Sequence, residues 1–63
     1  MKVFEKTCKC IEDLEIDNYK FHKLREYQVD IYPLFCKIYQ NGGWNDYIYL
    51  KEEEFNKYFK EID

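Results

Sequence analysis

The sequence predicts an α+β fold: an antiparallel sheet of three to four strands with an N-terminal and a C-terminal amphipathic helix, in one domain over residues 1–63. Three observations predict it. Apolar residues recur at helical spacing at the N-terminus, aromatic and β-branched residues alternate around a Gly-Gly turn in the middle, and an acidic stretch leads into apolar residues at i, i+4 and i+7 at the end.

Val3, Phe4, Thr7, Cys8, Ile11 and Leu14 fall on one side of a helical wheel, opposite Glu5, Lys6, Lys9, Glu12 and Asp13. This pattern reads as a helix over residues 2–15. Asp17-Asn18 reads as a turn, because both side chains bond nearby backbone and tolerate positive φ. From Tyr19 to Tyr32 the β-branched and aromatic content favours strands, although Phe21, Leu24, Tyr27 and Ile31 also fit a helical stripe. Beyond Pro33 the apolar phase moves to Leu34, Cys36 and Ile38, as a bulge or bend would produce; the competing reading is a helix capped by Asp30 and stopped at Gly42. Asn41-Gly42-Gly43 supplies positive φ for a hairpin between residues 35–39 and 44–50. Glu52, Glu53 and Glu54 then suit a helix N-terminus, with Phe55, Phe59 and Ile62 on its apolar face. Both helices are expected to cover one face of the sheet, leaving the other to Tyr side chains.

A 63-residue chain buries only about 60% of the surface its unfolded form exposes, so its core is marginal and self-association would help it. Seven Tyr, five Phe and one Trp exceed what so small a core can hold. Several must therefore lie outside, where contiguous apolar patches mark binding sites. A net charge of −3 weighs against a general grip on duplex nucleic acid. No apolar run has the length of a membrane span, and residues 1–6 lack the apolar stretch of a signal peptide, so a cytoplasmic protein is expected. Three cysteines without an export signal read as reduced thiols. The absence of Ala and Ser and the excess of Lys over Arg point to AT-rich codons, as in an AT-rich bacterium or one of its phages.

The segment Tyr19-Lys20-Phe21-His22-Lys23-Leu24-Arg25-Glu26-Tyr27 interleaves nitrogen-bearing side chains with aromatics. Such a pattern pairs phosphate and stacks a base. The ligand-binding candidates are Lys20, His22, Lys23, Arg25 and Tyr27, joined by Trp44, Asn45 and Tyr47 of the hairpin. Arg25, the only Arg, offers a bidentate fork, and Tyr27 or Trp44 a stacking ring. The plainer reading is a strand edge protected by Lys and Arg.

Cys8, Cys10, His22 and Cys36 could in principle supply a Cys₃His zinc site, but on a helix Cys8 and Cys10 would point about 200° apart. Neither a metal nor another cofactor is expected. Cys36 with His22 could make a nucleophile and base, but nothing in the local sequence favours that pair over a buried thiol and a surface imidazole. The chain is therefore read as non-enzymatic. The Glu52–Glu54 run reads as a solvated helix start.

In being short, acidic and rich in Tyr, Lys, Glu and Asn, and in running Tyr47-Ile48-Tyr49-Leu50 into Glu52-Glu53-Glu54-Phe55 and Phe59, the chain resembles the small proteins with which phages antagonise host defence. That resemblance implies a non-catalytic, homo-oligomeric binding protein. Two mechanisms follow: sequestration of a nucleotide-type immune signal in a pocket between protomers, or direct inhibition of a host defence protein such as a nuclease or CRISPR effector. A structural or regulatory phage protein is the third alternative.

Overall fold

A computed structural model describes residues 2–40 and 45–62. Its elements are β1 (Phe4–Cys10), β2 (Leu14–Ile16), β3 (Tyr19–Phe21), β4 (Glu26–Ile31), β5 (Phe35–Tyr39), β6 (Tyr47–Lys51), α1 (Glu52–Tyr58) and β7 (Phe59–Glu61). Five strands form one antiparallel sheet in the order β6-β5-β4-β1-β7, and β2 and β3 form a separate hairpin. The fold is thus dominated by sheet, which corrects the expected pair of helices around three or four strands.

The N-terminal helix is replaced by β1, which pairs with β4 on one side (Thr7 opposite Gln28) and with β7 on the other (Lys9 opposite Lys60). Two ladders outweigh a helical stripe, because a short isolated helix is barely stable whereas a central strand has its main chain bonded on both sides. Cys8 and Cys10, far apart on a helix, consequently share the core face of β1, and both are completely buried.

Asp17 and Asn18 form the β2–β3 turn as expected, with φ of 49° and 70°. The strands expected between Tyr19 and Tyr32 are β3 and β4. At Pro33 the expected bulge or bend is a complete chain reversal, in which the Tyr32 amide donates to the Phe35 carbonyl at 2.9 Å. The phase shift marks a change of strand, and it also removes the competing helix over this segment. The β5–β6 hairpin has the expected strands, with Ile38 opposite Ile48, while the Asn41-Gly42-Gly43 turn lies outside the described residues.

The final helix forms but stops at Tyr58. Phe59 turns extended to enter β7, so Phe55 and Phe59 stack at 5.3 Å while Ile62, expected on the same helical face, is exposed. The gain is sheet pairing: the Ile11 amide reaches the Tyr58 carbonyl at 2.7 Å and the Ile62 amide the Thr7 carbonyl at 3.2 Å.

One core cluster draws on both edges of the sheet: Ile48 and Leu50 from β6, Phe59 from β7, and Cys8, Cys10, Val29, Cys36 and Ile38 between them. The sheet therefore curves around its core, closed by Phe55 of α1 and Phe21 of β3. No helix among the described residues is long and apolar enough to cross a membrane.

Candidate functional site

Alternation along β5 and β6 sends Cys36, Ile38, Ile48 and Leu50 into the core and Phe35, Lys37, Tyr39, Tyr47 and Tyr49 to the opposite face. Cross-strand register sets Tyr39 against Tyr47 and Lys37 against Tyr49. The rings form a continuous ladder. Tyr32 stacks on Phe35 at 4.6 Å, Phe35 meets Tyr49 edge-on at 5.1 Å, Tyr49 meets Tyr47 at 5.4 Å, and Tyr47 meets Tyr39 at 5.9 Å. Tyr49 is 53% exposed, and Leu34 beside the Tyr32–Phe35 stack is 83% exposed. Of the expected Tyr face, the β5–β6 part is present, but Phe35, Lys37 and Asp30 share it and no N-terminal helix covers the other face.

Lys37 lies inside this ladder, its ammonium 4.0 Å from the Tyr47 ring centre, 5.1 Å from Tyr39 and 6.0 Å from Tyr49. Hydrogen bonding to the Tyr39 hydroxyl raises its pKa, partly opposed by desolvation and supported by the neighbouring Tyr oxygens. Directly opposite Lys37 on β4 stands Asp30, 4% exposed. Asp30 Oδ2 accepts from the Tyr39 hydroxyl at 2.8 Å, while Oδ1 has no hydrogen-bond partner among the described residues and faces Lys2 Nζ at 3.8 Å. Burial, reinforced by this bond to a carboxylate, raises the Tyr39 pKa. Lys37 thus follows the aromatic rings rather than the carboxylate across from it.

A second feature is an open groove of about 940 Å³ between the N-terminal half of β1, the β4–β5 turn and α1–β7. Phe4, Tyr32 and Phe35 give it aromatic walls, and Lys6, Lys60, Glu52 and Glu61 balance its charge. Lys6 is already paired with Glu61 at 3.5 Å.

The basic segment is placed elsewhere. Lys20, His22, Lys23 and Arg25 are exposed on β3 and the turn into β4. Their backbones are well anchored: the Lys23 amide donates to Asp13 Oδ1 at 2.7 Å, and the Lys20 carbonyl accepts from Gln40 Nε2 at 2.6 Å. Tyr27 is a core residue, its ring 4.9 Å from Phe21 and its hydroxyl accepting the His22 amide at 2.9 Å, so no ring face is open for stacking. Asn45 is exposed at the start of β6's approach, Tyr47 belongs to the ladder, and Trp44 lies outside the described residues. None of the described candidates lines the groove.

Cys36 is buried beside Ile31 and Leu50, about four residues, or ~13 Å, along β4 from the Tyr27 that anchors His22. Burial raises the thiol pKa of both Cys36 and Cys10. For Cys36, Glu52 and Glu61 add to the effect; for Cys10, the Asp13 and Glu12 charges add to it and a backbone hydrogen bond at Glu12 partly offsets it. No group of three or more His, Cys, Asp or Glu suited to a metal is gathered among the described residues.

Sequence reasoning foresaw an aromatic face but not Phe35, Lys37 and Tyr49 as its centre. The alternation Phe35-x-Lys37-x-Tyr39 against Tyr47-x-Tyr49 was the available signal. Comparison with known proteins adds no relative: no family model, no curated protein and no solved structure matches the chain.

Proposed function

We propose that this chain is a non-catalytic protein-binding module whose working surface is the aromatic ladder on β5 and β6. The observation that carries this reading is the run of touching rings Tyr32, Phe35, Tyr49 and Tyr47 on the sheet face turned away from the core, backed by the buried ring of Tyr39. Tyr offers large contact area at low entropic cost, and a central Lys among rings adds a charged anchor. In the setting that the resemblance to phage antagonists implies, the partner is a host defence protein and binding inhibits it directly.

Sequestration of a nucleotide-type signal is the second reading, favoured by the groove, where Lys6 and Lys60 adjoin Phe4, Tyr32 and Phe35. It is the weaker one, because Glu52 and Glu61 oppose an anion there and Arg25 stands outside the groove. The tagged protein recovered from host lysate separates the two. A stoichiometric protein partner retained by Arg25→Ala and lost with Tyr32→Ala or Tyr49→Ala is expected. A small molecule released on heating, with no protein partner, would replace this reading by sequestration.

A further inference from the structure

Among the described residues three strand edges of this sheet are unpaired, and they differ in protection. β7 is three residues long and carries Lys60 and Glu61. The half of β1 beyond β7 carries Glu5 and Lys6. Such shortness and charge are how native proteins keep edges from pairing. β6 has neither along Tyr47-Ile48-Tyr49-Leu50: no proline, glycine or charge precedes Lys51, and no strand among the described residues pairs with its outer side.

The hydrogen-bond phase identifies which groups that edge presents. The Gln40 amide donates to the Asp46 carbonyl at 2.8 Å. With Ile38 opposite Ile48 and Cys36 opposite Leu50, it is therefore the even-numbered residues of β6 that exchange bonds with β5. The amides of Tyr47, Tyr49 and Lys51 point outward, as do the carbonyls of Tyr47 and Tyr49.

We infer that β6 pairs antiparallel with β6 of a second copy, about a two-fold axis at Tyr49, joining two sheets into one. This register overlaps all of β6 and is self-complementary. Tyr49 lies opposite its own mate, and Tyr47 lies opposite Lys51, an aromatic–cation pairing of the kind Lys37 already makes with Tyr47 at 4.0 Å. The two Tyr49 residues exchange a pair of main-chain bonds, and each Lys51 amide donates to the Tyr47 carbonyl across the axis. The β1 edge lacks this match, because a two-fold at its open centre would place Glu5 against Glu5, and like charges directly opposite each other are destabilising. Pairing through β6 also brings the two aromatic ladders edge to edge, giving one surface that a single chain does not have.

Sedimentation of the untagged protein from about 1 μM to 1 mM, a range suited to a small interface, reads the association. Amide exchange by NMR at both ends of the range reads the place. The expected result is a monomer of 7.9 kDa passing to twice that mass, with the Tyr49 and Lys51 amides protected only at the high concentration. Tyr49→Lys sets like charges across the axis at an exposed position, and should weaken the dimer at least tenfold with an unchanged circular-dichroism spectrum. A protein monomeric at 1 mM, a dimer whose Tyr49 and Lys51 amides exchange freely, or a Tyr49→Lys variant that dimerises like the parent would each overturn the inference.

Discussion

Buried polar groups make the sharpest demands at the residue scale. Tyr39 supplies the hydrogen bond that holds Asp30, whose other oxygen has no such donor among the described residues. Tyr39→Phe should therefore cost about 1.5–3 kcal/mol, the range for bonds to charged groups, as read by urea unfolding against the parent. The thiols make a second demand. Burial raises the pKa of Cys10 and Cys36, so the unfolded chain ionises at the ordinary thiol value while the folded chain still holds its protons. The unfolded state thus binds fewer protons above about pH 8.5, and stability should be full below that pH and fall as pH rises through it. Urea midpoints measured from neutral to alkaline pH check the direction. In native protein neither thiol should react with a thiol reagent at neutral pH, whereas both should in denaturant.

Turns decide the behaviour of single elements. Leu24 holds φ of 76° in the turn into β4 while 69% exposed, a conformation that costs a side-chain-bearing residue about 1–2 kcal/mol. Leu24→Gly should relieve that strain and, after the greater freedom glycine has when unfolded, leave a gain of up to about 1 kcal/mol in thermal or urea unfolding. Loss of stability instead would show that the Leu24 side chain packs in a way its exposure hides. The β2–β3 hairpin is held chiefly by Phe21, 1% exposed and edge-on to both Tyr27 and Phe59. Phe21→Ala should cost about 3–5 kcal/mol, most of what a domain of this length has, and the variant should be largely unfolded by circular dichroism.

For the whole molecule, the proposed binding surface and the main core cluster lie on opposite faces of one sheet. Tyr49 lies on the outer face, so Tyr49→Ala should move stability by no more than about 0.5 kcal/mol while removing partner binding. Arg25→Ala, also exposed, should change neither. A loss of partner with Arg25→Ala alone would move the working surface to the β3–β4 turn.

The sequence by itself determined the local features: the Asp17-Asn18 turn, the β5–β6 strands, the acidic start of α1, the excess of aromatics and hence a Tyr face. Each depends on neighbours within a few residues, where turn chemistry and alternation act. Tertiary structure decided the rest. Residues 4–10 carry an apolar pattern compatible with a helix, and only the ladders supplied by β4 and β7, distant in sequence, make them a strand. The same β7 pairing ends α1 at Tyr58 and leaves Ile62 exposed. Tyr27 reads as a stacking ring beside Arg25, yet packing against Phe21 and Phe59 makes it core. Long-range pairing and shared burial have no local signature, because their free energy belongs to two segments at once. For that reason the aromatic content was legible, but which rings line one face and which edge stays open were settled only by the register of the strands.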